Sequence, residues 1–138
     1  MRKRRVIAAM LFASCLGGCA SPIDPALVKQ RQIQLQRMQT RVFDAGDDKA
    51  VARGVIATLQ DLNFIIVKTD TERGTISAKK YGDYPIEITV TIQTLPEKQI
   101  SVHGDARYDS KTIDDPATYQ EFFSSLQKSL FLTARAVD

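Results

Sequence analysis

Tryptophan is missing from the 138 residues, histidine occurs once, at His103, and cysteine twice, at Cys15 and Cys19. So small a stock of imidazole and thiol groups excludes zinc sites of the Cys/His kind, whose ligands recur at short fixed spacings. The seven glycines are scattered and form no phosphate-cradling loop. A hydrolytic triad needs a nucleophile, a base and an orienting acid together, and one histidine supplies few ways to build it. No run is apolar for the roughly twenty residues that cross a bilayer; the longest, from Val6 to Leu16, is half that. The formal charge of +3 comes from 19 Lys+Arg against 16 Asp+Glu, but four of the cations are Arg2, Lys3, Arg4 and Arg5. Beyond residue 18 the balance is 15 − 16 = −1, which removes the charge argument for nucleic acid.

What is present at the N-terminus is ordered. A cationic start, the apolar run and small residues ahead of a cysteine have the layout of a bacterial export signal. Leu16-Gly17-Gly18-Cys19 resembles the lipobox of bacterial lipoproteins. The resemblance implies a signal peptide over residues 1–18 and a lipidated Cys19, bearing palmitate-type acyl chains, as the membrane anchor. Ala20, in place of the aspartate that retains lipoproteins in the inner membrane, resembles outer-membrane sorting in a Gram-negative cell. That implies a lipid-anchored protein on the periplasmic side. An ordinary cleaved secretory signal is the alternative. With Cys15 removed and Cys19 alkylated, the chain has no disulfide and is indifferent to oxidising surroundings.

Residues 19–37 read as a lipidated tether, with Pro22 and Pro25 in an extended linker and a Gln- and Arg-rich segment over 26–37. The Gln30, Gln32, Gln34, Gln36 alternation leaves that segment open between helix and extended chain, and a solvated spacer is the reading adopted. The domain is placed at 38–138. Gln39 to Phe43 reads as a first strand, and Asp47 or Asp48 as the cap of a helix carrying Val51, Val55, Leu59 and Leu62 on one face. Gly54 in that helix suits close packing on a sheet, and Asn63 ends it. Phe64 to Val67 reads as a buried strand; the Asp70 to Gly74 turn leads to a strand over Thr75 to Lys80. Ile86, Ile88, Val90 and Ile92 alternate with polar residues, as do Ile100, Val102, Gly104 and Ala106, predicting an antiparallel hairpin with one face to the core. Asp115-Pro116 starts a closing helix whose stripe is Tyr119, Phe122, Phe123, Leu126 and Leu130.

The order β-α-β-β-β-β-α predicts an α+β two-layer sandwich, an antiparallel sheet with two helices on one face. Gln39-Thr40-Arg41-Val42-Phe43-Asp44, Leu59-Gln60-Asp61-Leu62-Asn63-Phe64, Gly74-Thr75-Ile76-Ser77-Ala78-Lys79, Tyr119-Gln120-Glu121-Phe122-Phe123 and Ser129-Leu130-Phe131-Leu132 resemble a family of small proteobacterial outer-membrane lipoproteins of unknown function. No enzymatic activity is assigned to that family. The middle section is also similar, over a short stretch, to the repeated domains of the C lipoprotein of the outer-membrane barrel-assembly complex.

The remaining polar residues have modest readings. His103, with Asp105 and Arg107 following at two-residue steps, fits a solvated sheet face or a recognition surface. Asp114-Asp115 fits helix capping, Asp70 and Glu72 a turn, and Lys79-Lys80-Tyr81 a strand end. Phe122-Phe123 offers one ring to the core and the other to its margin or to a contact; Tyr81, Tyr84 and Tyr108 suit edge packing. The expectation is a non-enzymatic protein with no catalytic residues, metal or cofactor. It is expected to work by protein contact in an envelope or outer-membrane assembly, or alternatively to hold peptidoglycan or lipid on its sheet face.

Overall fold

The computed structural model describes Gly18 and residues 22–136, with side chains described up to Phe131. The signal segment, Cys15 and Cys19 lie outside the described residues.

The undecided segment is a helix, α1 (Pro25–Gln39). Asp24 caps it by accepting the Ala26 N–H at 2.9 Å, and Pro25 takes the first-turn position where a missing N–H costs nothing. Gln39 closes this helix, so the first strand, β1 (Thr40–Phe43), begins one residue later than the alternation implies. Asp47 caps α2 (Asp48–Asp61) through the Lys49 N–H at 2.9 Å, and Asn63 leaves the helix with φ 67°. Four strands follow: β2 (Ile65–Asp70), β3 (Thr75–Lys80), β4 (Ile86–Leu95) and β5 (Gln99–Tyr108). A two-residue strand, β6 (Lys111–Thr112), precedes α3 (Pro116–Ala136). Asp115 caps α3 by accepting the Ala117 N–H at 3.2 Å.

The sheet is antiparallel, in the order β1-β5-β4-β3-β2, and the α+β sandwich is as the element order predicts. β4 and β5 pair over ten residues each, from Ile86 opposite Tyr108 to Leu95 opposite Gln99. Their inward residues Ile88, Val90, Ile92, Ile100, Val102 and Ala106 are buried, and join Ile76 and Ala78 of β3 beneath Val51, Val55 and Leu59 of α2 and Tyr119, Phe122, Phe123 and Leu126 of α3. Full burial of one such aliphatic side chain contributes about 2 kcal/mol. β1 and β6 share the other edge of β5, β1 along Ile100–His103 and β6 along Arg107–Tyr108. Helix α1 is an addition to the expected pair, and its C-terminal part meets the body through Leu35, Met38 and Gln39.

Two local expectations are corrected. Gly54 does not face the sheet: a Cβ there would sit 2.8 Å from Leu130 Cδ2 and 3.5 Å from Leu126 Cδ1, so the glycine brings α2 against α3. Nor is the Phe64–Val67 run a buried strand. β2 is an edge strand, with Ile65 60% and Val67 55% exposed and a bulge between Ile66 and Lys68. A short apolar run cannot by itself distinguish a central from an edge strand. Bulge and lysine together are ordinary protection of an open edge against pairing.

Candidate functional site

The two packed helices cover one face of the sheet, and the antiparallel pleat sends every second side chain to the other. Strand register sets these outward residues in rows. One row crosses all five long-range strands: Thr40, His103, Thr91, Thr75 and Asp70. The next is Asp105, Thr89, Ser77 and Lys68, and beyond it lie Arg107, Glu87, Lys79 and Ile65. Val42, Ser101 and Gln93 form the row on the other side. Four strand spacings make this face about 19 Å across. Its centre is hydroxyl-rich, while the apolar Val42, Ile65 and Val67 stand exposed at its two margins.

Three pairs of polar groups are joined on this face. Thr40 Oγ1 lies 2.9 Å from His103 Nδ1, a cross-strand hydrogen bond whose donor depends on the imidazole tautomer. Asp105 Oδ2 accepts from Arg107 Nε at 3.0 Å and stands 3.0 Å from Nη2. Lys79 Nζ and Glu87 Oε1 form a 2.7 Å ion pair, and the hydrogen bond and charge of Glu87 raise the Lys79 pKa above its ordinary value. These pairs are solvent-facing and lend register more than stability.

A threonine hydroxyl beside an imidazole has the distance of a nucleophile–base pair, but the triad logic also requires a group that orients the base and a place to hold substrate away from water. Asp105, the nearest outward carboxylate along β5, is engaged by Arg107. Among the described residues no three of His, Cys, Asp and Glu gather where a metal could bind.

The other residues singled out by sequence are accounted for locally. Lys80 Nζ stands 5.6 Å from the Phe64 ring centroid, leaving Tyr81 as the exposed member of its trio. Asp70 closes its turn by accepting the Glu72 and Arg73 N–H groups, each at 3.1 Å. Both rings of Phe122-Phe123 are buried, edge to face at 5.1 Å, with the Arg41 guanidinium 5.6 Å from the Phe123 centroid. Tyr84 and Tyr108 pack ring to ring at 5.9 Å. A cavity of about 200 Å3 opens between the start of α2 and the β2–β3 turn, floored by Ala52, Ile76 and Ile92. Sequence reasoning gave no sign of the Thr40–His103 pair, because the partners are 63 residues apart and meet only through β1–β5 register. The sequence matches no protein-family model and no curated protein.

Proposed function

We propose that this chain is a non-catalytic lipoprotein, anchored through Cys19 to the outer membrane of a Gram-negative envelope, whose periplasmic domain acts by protein contact in an envelope assembly. The observation that carries the contact reading is the uncovered sheet face. It is broad and hydroxyl-rich, it carries the Lys79–Glu87 and Arg107–Asp105 ion pairs on its surface, and apolar Val42, Ile65 and Val67 flank it. Such a face can dock a partner through an apolar margin and a hydrogen-bonding centre, the composition of a non-obligate interface. The anchor reading is carried by Leu16-Gly17-Gly18-Cys19 behind its cationic, apolar leader. Envelope localisation rests on Ala20 after the anchoring cysteine and on the resemblance to small outer-membrane lipoproteins, and the assembly role on the short similarity to the repeated domains of the barrel-assembly C lipoprotein.

Affinity capture of the tagged protein from detergent-solubilised envelopes tests this. A stoichiometric protein partner is expected, lost in Thr89→Arg at the centre of the face and retained in His103→Gln. Co-purifying glycan or lipid with no protein partner would move the reading to a ligand-binding module for peptidoglycan or lipid. Loss of biological activity in folded His103→Gln would point instead to chemistry at that imidazole.

A further inference from the structure

The first two and a half turns of α1 bury no side chain against the described residues of the body. Every described residue from Pro22 to Gln34 is exposed, and the helix packs on the body through Leu35, Met38 and Gln39 of its last turns. Helices as short as this are marginal in water unless a face is covered. The charge of α1 is also of one sign: Lys29, Arg31 and Arg37 are present and no carboxylate lies between Pro25 and Gln39. Lys29, Ile33 and Arg37, spaced by four, line the side that also carries Ala26, Gln30 and Gln34, and border one shallow groove along the helix. No acidic side chain pairs with Lys29 or Arg37 among the described residues. Among the described helices none is long and apolar enough to cross a membrane.

We infer that this cationic face of α1 is a docking surface for anionic phospholipid headgroups, holding the helix against the bilayer that carries the lipid anchor. Its closeness to the membrane rests on the anchor reading. Pro25 is six residues from Cys19, so a fully extended link holds it within about 20 Å of the lipid attachment point. Juxtamembrane Lys and Arg are attracted to anionic leaflets over a Debye length, while a single large apolar side chain, Ile33, among glutamines gives this face too little apolar area to wedge among acyl chains. The contact is therefore made at headgroup depth. It places the helix, about 22 Å long over its 15 residues, along the surface and fixes which way the sheet face points.

The test uses residues 19–138 with Cys19→Ser, which retain every described element and the whole core. Co-sedimentation is measured with phosphatidylcholine vesicles and with a two-to-one mixture of phosphatidylcholine and phosphatidylglycerol. Binding should be confined to the mixed vesicles and vanish in molar salt. Each Lys or Arg near an anionic surface strengthens partitioning about fivefold, so Lys29→Gln/Arg37→Gln should lose about 25-fold. Arg73→Gln, which removes an exposed cation at the far edge of the sheet, should bind as the parent does. Equal binding to both vesicle types, or an unchanged affinity in the double variant, overturns the inference. Absence of vesicle binding with α1 helical by circular dichroism also overturns it and leaves the face to an acidic protein surface. Because the acyl group is absent here, failure of the anchor reading is seen separately, as loss of fatty-acid labelling at Cys19.

Discussion

Tyr119 stands in for a β-strand beside Ala106: its hydroxyl accepts the Ala106 N–H at 3.4 Å in the gap between β1 and β6, where the edge of β5 has no strand partner. The same hydroxyl donates to the Ile113 carbonyl at 2.6 Å and accepts from Gln39 Nε2 at 3.2 Å. One side chain from α3 thus joins the end of α1, the sheet edge and the loop that leads into α3.

Tyr119→Phe removes this hub while keeping the ring, and leaves the buried Ala106 and Gln39 donors and the Ile113 acceptor short of a partner. A loss of about 2 to 3 kcal/mol is expected, read as a lower urea midpoint at unchanged slope. Burial, as the largest cause, raises the Tyr119 pKa above 10.0. Above the ordinary tyrosine value the unfolded chain has released this proton while the folded domain still holds it, so wild-type stability should fall as pH rises past that value. Tyr119→Phe should lack that component of the fall; an identical alkaline loss in both proteins would contradict the assignment.

Gly74 and Gly46 share a φ of +65° and differ in what a side chain would meet. A Cβ at Gly46 would meet nothing within 4 Å among the described residues, whereas one at Gly74 would run into the Ile92 carbonyl oxygen. The Gly74 carbonyl also accepts the Ile92 N–H at 2.7 Å, which pins the β2–β3 turn to β4. Gly46→Ala should cost about 1 kcal/mol, the left-handed penalty alone. Gly74→Ala should cost about 3 kcal/mol or more, since backbone cannot move aside as a side chain can. Comparable denaturation midpoints for the two would show that the close approach at Gly74 is relieved at little cost.

Much of this was readable from the chain and some was not. Periodicity placed the β4–β5 hairpin and the buried stripe of α3, because Ile88, Val90, Val102, Tyr119 and Leu126 repeat at the period of their element. It did not reveal β6, whose two-residue turn is Asp109-Ser110 with φ of 48° and 64°, a conformation usually marked by glycine or asparagine. The direction faced by Gly54 depends on how α2 meets α3, and the edge position of β2 on strand order; neither is encoded in local spacing. For α1, glutamine spacing carried no face, since its first turns bury no side chain against the described residues of the body. The outward row at His103 was legible as a polar face, but its bond to Thr40 depends on β1 joining β5.

Thr58 is buried in α2 with 1% exposure, and its Oγ1 has no hydrogen-bond partner among the described residues. A desolvated, unpaired hydroxyl costs about 1–3 kcal/mol, and valine has the same shape and a similar helix propensity. Thr58→Val should therefore stabilise the domain by about 1 kcal/mol, raising the urea midpoint at constant slope. A lower midpoint would mean that the hydroxyl is partnered in solution.

The proposed location and the route to a partner both depend on Cys19. Acyl chains contribute about 0.8 kcal/mol per buried methylene, so two or more hold a protein stably on a membrane, whereas the three surface cations of α1 give only a weaker, salt-sensitive attachment. The direct measurement is metabolic labelling with an alkynyl fatty acid of cells expressing the wild-type chain or Cys19→Ala. The wild type should carry the label and fractionate with the outer membrane, while Cys19→Ala should be unlabelled and remain unprocessed by the lipoprotein signal peptidase. Equal labelling of both, or no labelling of the wild type, would contradict a lipid anchor at this residue.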